Sequence, residues 1–228
     1  QIFNELGYET LEGSDLNDER QNYNDVLLID RLRTKIRQLN PDLPEIVYTT
    51  AINQVKSLTN PTTIENNREF HQMLLAGVKV RDPKSQTKHY AIKLVDFDVP
   101  TNNDFLAVRQ LIIEQHKKRR TDHILFVNGL PLVILEYKDP TNPSLDITQA
   151  YNQLGKTKYQ RYIPRLFNYI SFLIISDKTN ARYGTMTAPF ARFGDWNDPE
   201  DPDKTVSNRL EMMQRLMLNK EMLLEMIQ

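Results

Sequence analysis

Asp122, Glu136 and Lys138 are the residues whose types and spacing could do chemistry, and they lie in the segment RRTDHILFVNGLPLVILEYKDP at 119–140. Two apolar runs flank Asn128-Gly129 there, and the charged residues sit only at the outer ends, which is the pattern of a β-hairpin. A three-residue connection, Asn128 to Leu130 with Gly129 at positive φ, sets Val127 opposite Pro131 and, counting outward, Asp122 opposite Glu136. Cross-strand partners project on one face, and Lys138, two residues past Glu136, shares it. Leu125, Val127, Val133 and Leu135 cover the opposite face, while Ile124, Phe126, Leu132 and Ile134 make the charged face apolar too. Strands of that kind are buried on both sides, where two carboxylates repel each other and a divalent cation relieves the repulsion. Mg²⁺ takes carboxylate, water and phosphate oxygens at about 2.0–2.1 Å, so Asp122 and Glu136 suit it. The Lys138 ammonium would orient a water or neutralise charge growing on a phosphate. A plainer reading fits the same residues: a Glu136–Lys138 ion pair at a strand end, with Asp122 capping a turn. Spacing alone leaves both open.

The elements that must position these groups follow from periodicity. Segments 25–39, 45–58 and 63–78 repeat apolar residues at three and four, the helical spacing, and Asn40-Pro41 and Asn60-Pro61 separate them. From about 89 the runs HYAIKLVDFDV, DFLAVRQLIIEQH, HILFV and PLVILEYK read as strands of a mixed or antiparallel sheet. Ser144 is the expected N-cap of a helix over about 145–162, and YISFLIIS (169–176) and ARYGTM (181–186) return to strand chemistry. The acidic, Pro-bearing GDWNDPEDPDK (194–204) reads as a linker into a Met- and Leu-rich helix that reaches Gln228 without a cap. The expected class is α/β, a mixed sheet flanked by helices, with an N-terminal helical portion over 1–80, a core over 81–193, and a linker and helix over 194–228.

With 228 residues, 39% hydrophobic and 26% charged, the chain can bury a sizeable core, and no apolar run approaches the roughly 20 residues a membrane span needs. The opening QIFNELGYE is neither a signal peptide nor a Met start, so residues are expected to precede it. The absence of Cys excludes disulfides and thiolate chemistry and agrees with a cytoplasmic location. A net charge of −1 means that nucleic-acid binding must come from local patches, the obvious one being Lys117, Lys118, Arg119 and Arg120, which otherwise is a solvated charge run. Gly155-Lys156-Thr157 lacks the first glycine and preceding strand of a phosphate loop, and His71, His89, His116 and His123 show no ligand spacing.

An Asp followed fourteen residues later by Glu-x-Lys resembles the PD-(D/E)xK nuclease signature, and LFVNGLPLVILEYK resembles the form found in R subunits of type I restriction enzymes. ELGYE, DRLRTKIRQLNPDLP, ENNREFHQMLLAGV, LVDFDVPTNNDFLAVRQ and ARYGTMTAPFARFGDW resemble the same family, so the likeness covers nearly the whole chain. A repair nuclease or junction resolvase would share the hairpin without those flanks. The resemblance implies a restriction-endonuclease-like fold with Asp122, Glu136 and Lys138 as the catalytic site, Mg²⁺ on the two carboxylates, and Thr121 standing where the family has Pro. It further implies a Gln-x-x-x-Tyr motif, whose counterparts Gln153 and Tyr159 are six apart, about 120° out of line on a helix unless a break near Gly155 realigns them. Their role would be to contact phosphate or orient the lysine, against an exposed amide and a packed phenol. Glu65 could add a carboxylate or simply start a helix. The expected partners are double-stranded DNA and the modification methyltransferase and specificity subunits, with ATP serving only translocase parts whose motifs this sequence lacks, and the linker and helix over 194–228 are expected to lead to and dock on that motor. The rival expectation is a docking module whose nuclease site is unformed in isolation.

Overall fold

The computed structural model describes residues 1–85, 87–138, 146–155, 158–177, 180–196 and 208–228. In chain order the elements are α1 (Ile2–Glu5), β1 (Glu9–Glu12), α2 (Ile29–Leu39), α3 (Glu45–Lys56), α4 (Thr63–Ala76), β2 (Val78–Arg81) and β3 (His89–Ile92). There follow β4 (Phe105–Arg109), β5 (Ile112–Glu114), β6 (Lys118–Arg120), β7 (His123–Val127) and β8 (Leu130–Tyr137). The chain continues with α5 (Ile147–Leu154), α6 (Tyr159–Tyr162), α7 (Pro164–Phe167), β9 (Phe172–Ser176), β10 (Ala181–Gly184), β11 (Gly194–Asp195), α8 (Arg209–Met217) and α9 (Lys220–Ile227).

Among the described residues the expected mixed sheet has seven strands in the order β1-β4-β7-β8-β9-β10-β11, with β2–β3 and β5–β6 as separate two-stranded ribbons. β1 runs parallel to β4 and β9 parallel to β8, and the other pairs are antiparallel. The parallel β8–β9 step needs a crossover, which α5, α6 and α7 supply. β7 and β8 occupy the centre, and from Ile124 to Glu136 every residue is buried, so the unbroken apolar runs fit strands covered on both faces. β1 departs from a purely helical first 80 residues: ETLE is an edge strand whose mixed composition gives no alternating signal.

Three further expectations change. The connection between β7 and β8 is the two-residue turn Asn128-Gly129, with φ of 53° and 79°, not a three-residue loop. Val127 therefore faces Leu130 and Phe126 faces Pro131, until a bulge shifts the register so that Leu125 faces Val133 and His123 faces Leu135. The bulge restores the outer register, and Asp122 comes to the level of Glu136 by a different path.

The helix expected over 145–162 is divided. α5 begins at Asp146, whose side chain accepts from the Gln149 N–H at 3.0 Å, and stops where Gly155 turns extended at ψ 177°. The predicted cap Ser144 lies outside the described residues, as do Lys156, Thr157 and most of the acidic 194–204 stretch. The C-terminal helix is likewise two helices, with Asn219 capping α9 through the Met222 N–H. Their Met213, Met217, Leu223, Leu224 and Ile227 are buried in this chain's own core. The Tyr8 hydroxyl donates to Leu218 O at 2.7 Å and Arg215 pairs with Glu5 at 2.8 Å, fastening the two chain ends together. Among the described residues no helix is long and apolar enough to cross a membrane.

Candidate functional site

The turn that joins the two central strands is itself buried, and this fixes the hairpin that carries the site. Asn128 is fully enclosed: its Nδ2 donates to Leu94 O at 2.9 Å and to Asn103 Oδ1 at 2.8 Å, and its Oδ1 accepts from the Asp104 N–H at 2.8 Å. The Gly129 carbonyl accepts from the Leu28 N–H at 3.0 Å, at the start of α2. With the tip pinned, strand period and bulge decide which side chains emerge at the far end.

At that far end Asp122, Glu136 and Lys138 come together. Asp122 Oδ2 accepts from the Tyr137 N–H at 2.7 Å, a bond from side chain to partner strand that closes the ladder where β7 begins. Glu136 Oε1 accepts from Lys138 Nζ at 2.9 Å, and Lys138 also donates to Gln153 Oε1 at 2.8 Å. Both parts of the plainer reading are thus present, the ion pair and the capping carboxylate. Neither satisfies Glu136 Oε2, a buried oxygen with no hydrogen-bond partner. The Glu136 side chain is only 2% exposed, where an unpaired anionic oxygen is expensive. Burial, and next the neighbouring Asp122 carboxylate, push the Glu136 carboxyl up from 4.5 to about 7, against the opposing pull of Lys138 and of the nearby Tyr159 hydroxyl.

Gln153 and Tyr159 do converge. The end of the helix at Leu154, with Gly155 extended, realigns what a continuous helix would have splayed, and Gln153 Nε2 donates to the Tyr159 hydroxyl at 3.0 Å. The Tyr159 hydroxyl donates in turn to the Arg120 carbonyl at 2.8 Å. Burial, then the charge of Glu136, raise the Tyr159 phenol above its ordinary value, so it stays a neutral donor. The result is a chain of bonds from Lys138 through an amide and a phenol to the backbone of β6.

Glu65 is not brought to this cluster. Its carboxylate accepts from the Thr62 N–H at 3.0 Å while Thr62 Oγ1 accepts from the Glu65 N–H at 3.2 Å, a capping box at the exposed start of α4. Its acid type is explained by that helix end. Lys117, Lys118 and Arg120 are exposed and Arg119 is half-buried. Lys117 Nζ lies 4.7 Å and the Arg119 guanidinium 4.3 Å from the centre of the Tyr162 ring, and Lys118 Nζ lies 5.4 Å from that of Tyr23. Among the described residues none of the four has an acidic ion-pair partner.

Three contributors escape sequence reasoning. The Tyr137 N–H and the Arg120 carbonyl are backbone groups, to which residue type gives no clue. Gln214 of α8 donates to the Tyr137 hydroxyl at 3.2 Å from 77 residues away, and only the fold brings it there. On the opposite face from Glu136, His123 packs on Tyr137 with ring centres 5.4 Å apart, and burial lowers its imidazole to about 4. That histidine is a half-buried packing residue whose imidazole is held below its ordinary value.

Among the described residues no group of three or more His, Cys, Asp and Glu forms a ready cation cage; what the site holds is two carboxylates, Asp122 and Glu136, near enough that the charge of one raises the other.

Comparison with known proteins places this arrangement in a family. The family model described as type I restriction enzyme R protein N terminus matches residues 1–192. The chain is 37% identical over 208 residues to the type I restriction enzyme HindI endonuclease subunit of Haemophilus influenzae, which covers 88% of this chain and 20% of that protein. It is 32% identical over 206 residues to a protein of Methanocaldococcus jannaschii provisionally named as the MjaIXP endonuclease subunit of a type I restriction enzyme, covering 87% of this chain and 20% of that protein. A Staphylococcus aureus relative named as a type I restriction enzyme endonuclease subunit is 28% identical over 179 residues, covering 78% and 18% of the two chains. The chain spans about a fifth of the length of these relatives. With 192 of its residues matched and its identity to the Haemophilus influenzae subunit at 37%, the chain belongs to the family of type I restriction enzyme R protein N termini.

Proposed function

We propose that this chain is the endonuclease segment of a type I restriction enzyme R subunit, hydrolysing phosphodiester bonds of unmodified foreign DNA with Mg²⁺ held by Asp122 and Glu136. The observation that carries the reading is Glu136 Oε2, buried and unpartnered beside a second carboxylate. An ion pair at a strand end accounts for Oε1 alone, whereas a divalent cation held by Asp122 and Glu136 would give the second oxygen a partner and relieve the repulsion between the two acids. The donor set fits: two hard carboxylates leave the remaining positions of the ion to water and phosphate oxygens, as Mg²⁺ prefers. The mixed sheet, with the acids and the lysine at the outer end of its central hairpin, suits a nuclease core of the PD-(D/E)xK kind.

Mg²⁺ bound there supplies charge neutralisation at the phosphate and acidifies water for attack. The rest of the work belongs to side chains. Asp122 presents a carboxylate whose Oδ2 is already oriented by the Tyr137 N–H. Lys138, with one N–H on Glu136 and one on Gln153, has its third N–H left for a phosphoryl oxygen as negative charge builds. Tyr159 holds Gln153 so that its carbonyl oxygen, not its amide nitrogen, meets the ammonium. Lys117, Lys118, Arg119 and Arg120 grip duplex phosphates without reading bases. Target choice then falls to the specificity and modification subunits, and ATP use to R-subunit regions outside this chain.

The test is made on the assembled enzyme. Asp122→Ala is expected to lower cleavage of unmodified plasmid by about 10²-fold or more while ATP-driven translocation continues. Retained cleavage contradicts the assignment, and loss of subunit assembly instead points to a docking module.

A further inference from the structure

The β2–β3 ribbon is the most one-sided charged feature outside the site. Between Glu69 and Asp96 the sequence has Lys79, Arg81, Lys84, Lys88 and Lys93 but a single acid, Asp82. In a chain whose net charge is −1, that is a local excess. Pairing sets Lys79 opposite Ala91 and Arg81 opposite His89, and these four residues are exposed, while Val78, Val80 and Ile92 are buried. Two strand steps separate Lys79 from Arg81, so their cations project from one face about 7 Å apart.

The single acid does little to neutralise the ribbon. Asp82 is itself buried and engaged, accepting from the Lys84 N–H at 2.8 Å and the Tyr90 hydroxyl at 2.9 Å, with Lys88 Nζ at 3.8 Å. Among the described residues, Lys79, Arg81, Lys84 and Lys93 have no acidic ion-pair partner. Two helices pack on β2: α3 has no acid after Glu45 and ends in Lys56, its Gln54 side chain donating to Lys79 O at 3.4 Å, and the α4 acids Glu65 and Glu69 make no ion pair with the ribbon among the described residues. Asp82 and Asp96 offset Lys84, Lys88 and Lys93 only through space and in part, and a row of exposed cations of that kind repels itself unless it meets a polyanion.

We propose that the outward face of the β2–β3 ribbon, with Lys79, Arg81, Lys84 and Lys93, is a second contact for the phosphate backbone of duplex DNA, apart from Lys117 to Arg120. This rests on the nuclease reading above and extends it from the point of cleavage to the path of the duplex. The outward positions of the two strands, Lys79, Arg81, His89 and Ala91, include no Phe, Tyr or Trp, and Tyr90 is half-buried with its hydroxyl on Asp82. A surface built for single strands offers aromatic faces on which bases stack, and one built for membranes offers exposed apolar anchors. This face offers neither, so backbone charge is what it can read.

The experiment is a fluorescence-anisotropy titration of the full chain onto a labelled duplex at several salt concentrations, without divalent cation, so that binding is scored apart from cleavage. The comparison is between the unaltered chain and a Lys79→Gln/Arg81→Gln/Lys84→Gln variant whose circular dichroism and Tm match it. The proposal expects weaker binding and a slope of log K against log salt that is shallower by roughly 2 to 3, about 0.9 for each phosphate that the variant no longer neutralises. Matching slopes and affinities overturn it while leaving the nuclease reading intact, because Asp122→Ala tests that reading by cleavage alone. Loss of binding by the variant to anionic vesicles or an acidic peptide, with duplex binding unchanged, also overturns it and reassigns the ribbon to those partners. Absence of duplex binding by the unaltered chain overturns it outright.

Discussion

At Glu136 one carboxylate oxygen is paired with Lys138 and the other, though buried, is not. Its carboxyl binds a proton in the fold up to about pH 7, whereas in the unfolded chain it would let go near 4.5. The folded state therefore holds more protons than the unfolded state between those values, so raising the pH through that window removes stability. The contribution is fully present below about 4.5 and gone above about 7. Glu136→Gln cannot ionise and escapes this loss, so without metal its Tm should exceed that of the unaltered chain at pH 8, with the gap shrinking toward pH 4. Thermal unfolding across that range by circular dichroism checks it, and a gap that stays constant with pH contradicts the raised carboxyl. The residue types of the site were legible in the sequence, since two acids and a lysine at the ends of apolar strands admit few readings. The unpaired Oε2 was not, because it depends on which partners a fold fails to bring.

At the scale of elements, the hairpin Asn128-Gly129 places the acids level with each other only because its turn and its bulge act together. The turn was legible from Asn-Gly between apolar runs, but its length was not, because a two-residue turn with one bulge gives the same outer register as a three-residue loop. Burial of the turn against Leu28, Leu94 and Asn103 was equally out of reach, since hairpin tips usually face water. That burial makes a prediction. Gly129 sits at φ +79°, and a Cβ there would collide with the Leu28 carbonyl oxygen and lie 3.0 Å from Leu32 N. Gly129→Ala is thus expected to cost about 2 kcal/mol or more in denaturant unfolding. A cost near zero would mean that the turn is free to move away from α2. The helix break at Gly155 belongs to the same scale: it brings Gln153 to Tyr159 across a spacing that a single helix could not accommodate.

At the scale of the whole molecule, the chain ends close on the sheet that bears the site. α8 and α9 bury Met217, Leu223 and Leu224, and Gln214 reaches the hydroxyl of Tyr137, on the face of the sheet opposite Glu136. The Met and Leu spacing announced a helix with an apolar face, but only long-range packing decides what covers that face. Met217 is fully enclosed, so Met217→Ala is expected to destabilise the chain by about 2–5 kcal/mol, read as a lower denaturant midpoint. An unchanged midpoint would show that the C-terminal helices are not part of the cooperative fold. The central claim remains that Asp122 and Glu136 are a divalent-cation pair, and the most direct measurement is a calorimetric Mn²⁺ titration of the chain beside its Glu136→Ala variant at pH 8, both checked for folding by circular dichroism. The account predicts saturable binding by the unaltered chain that is lost in the variant; equal binding by both, or none by either, would contradict it.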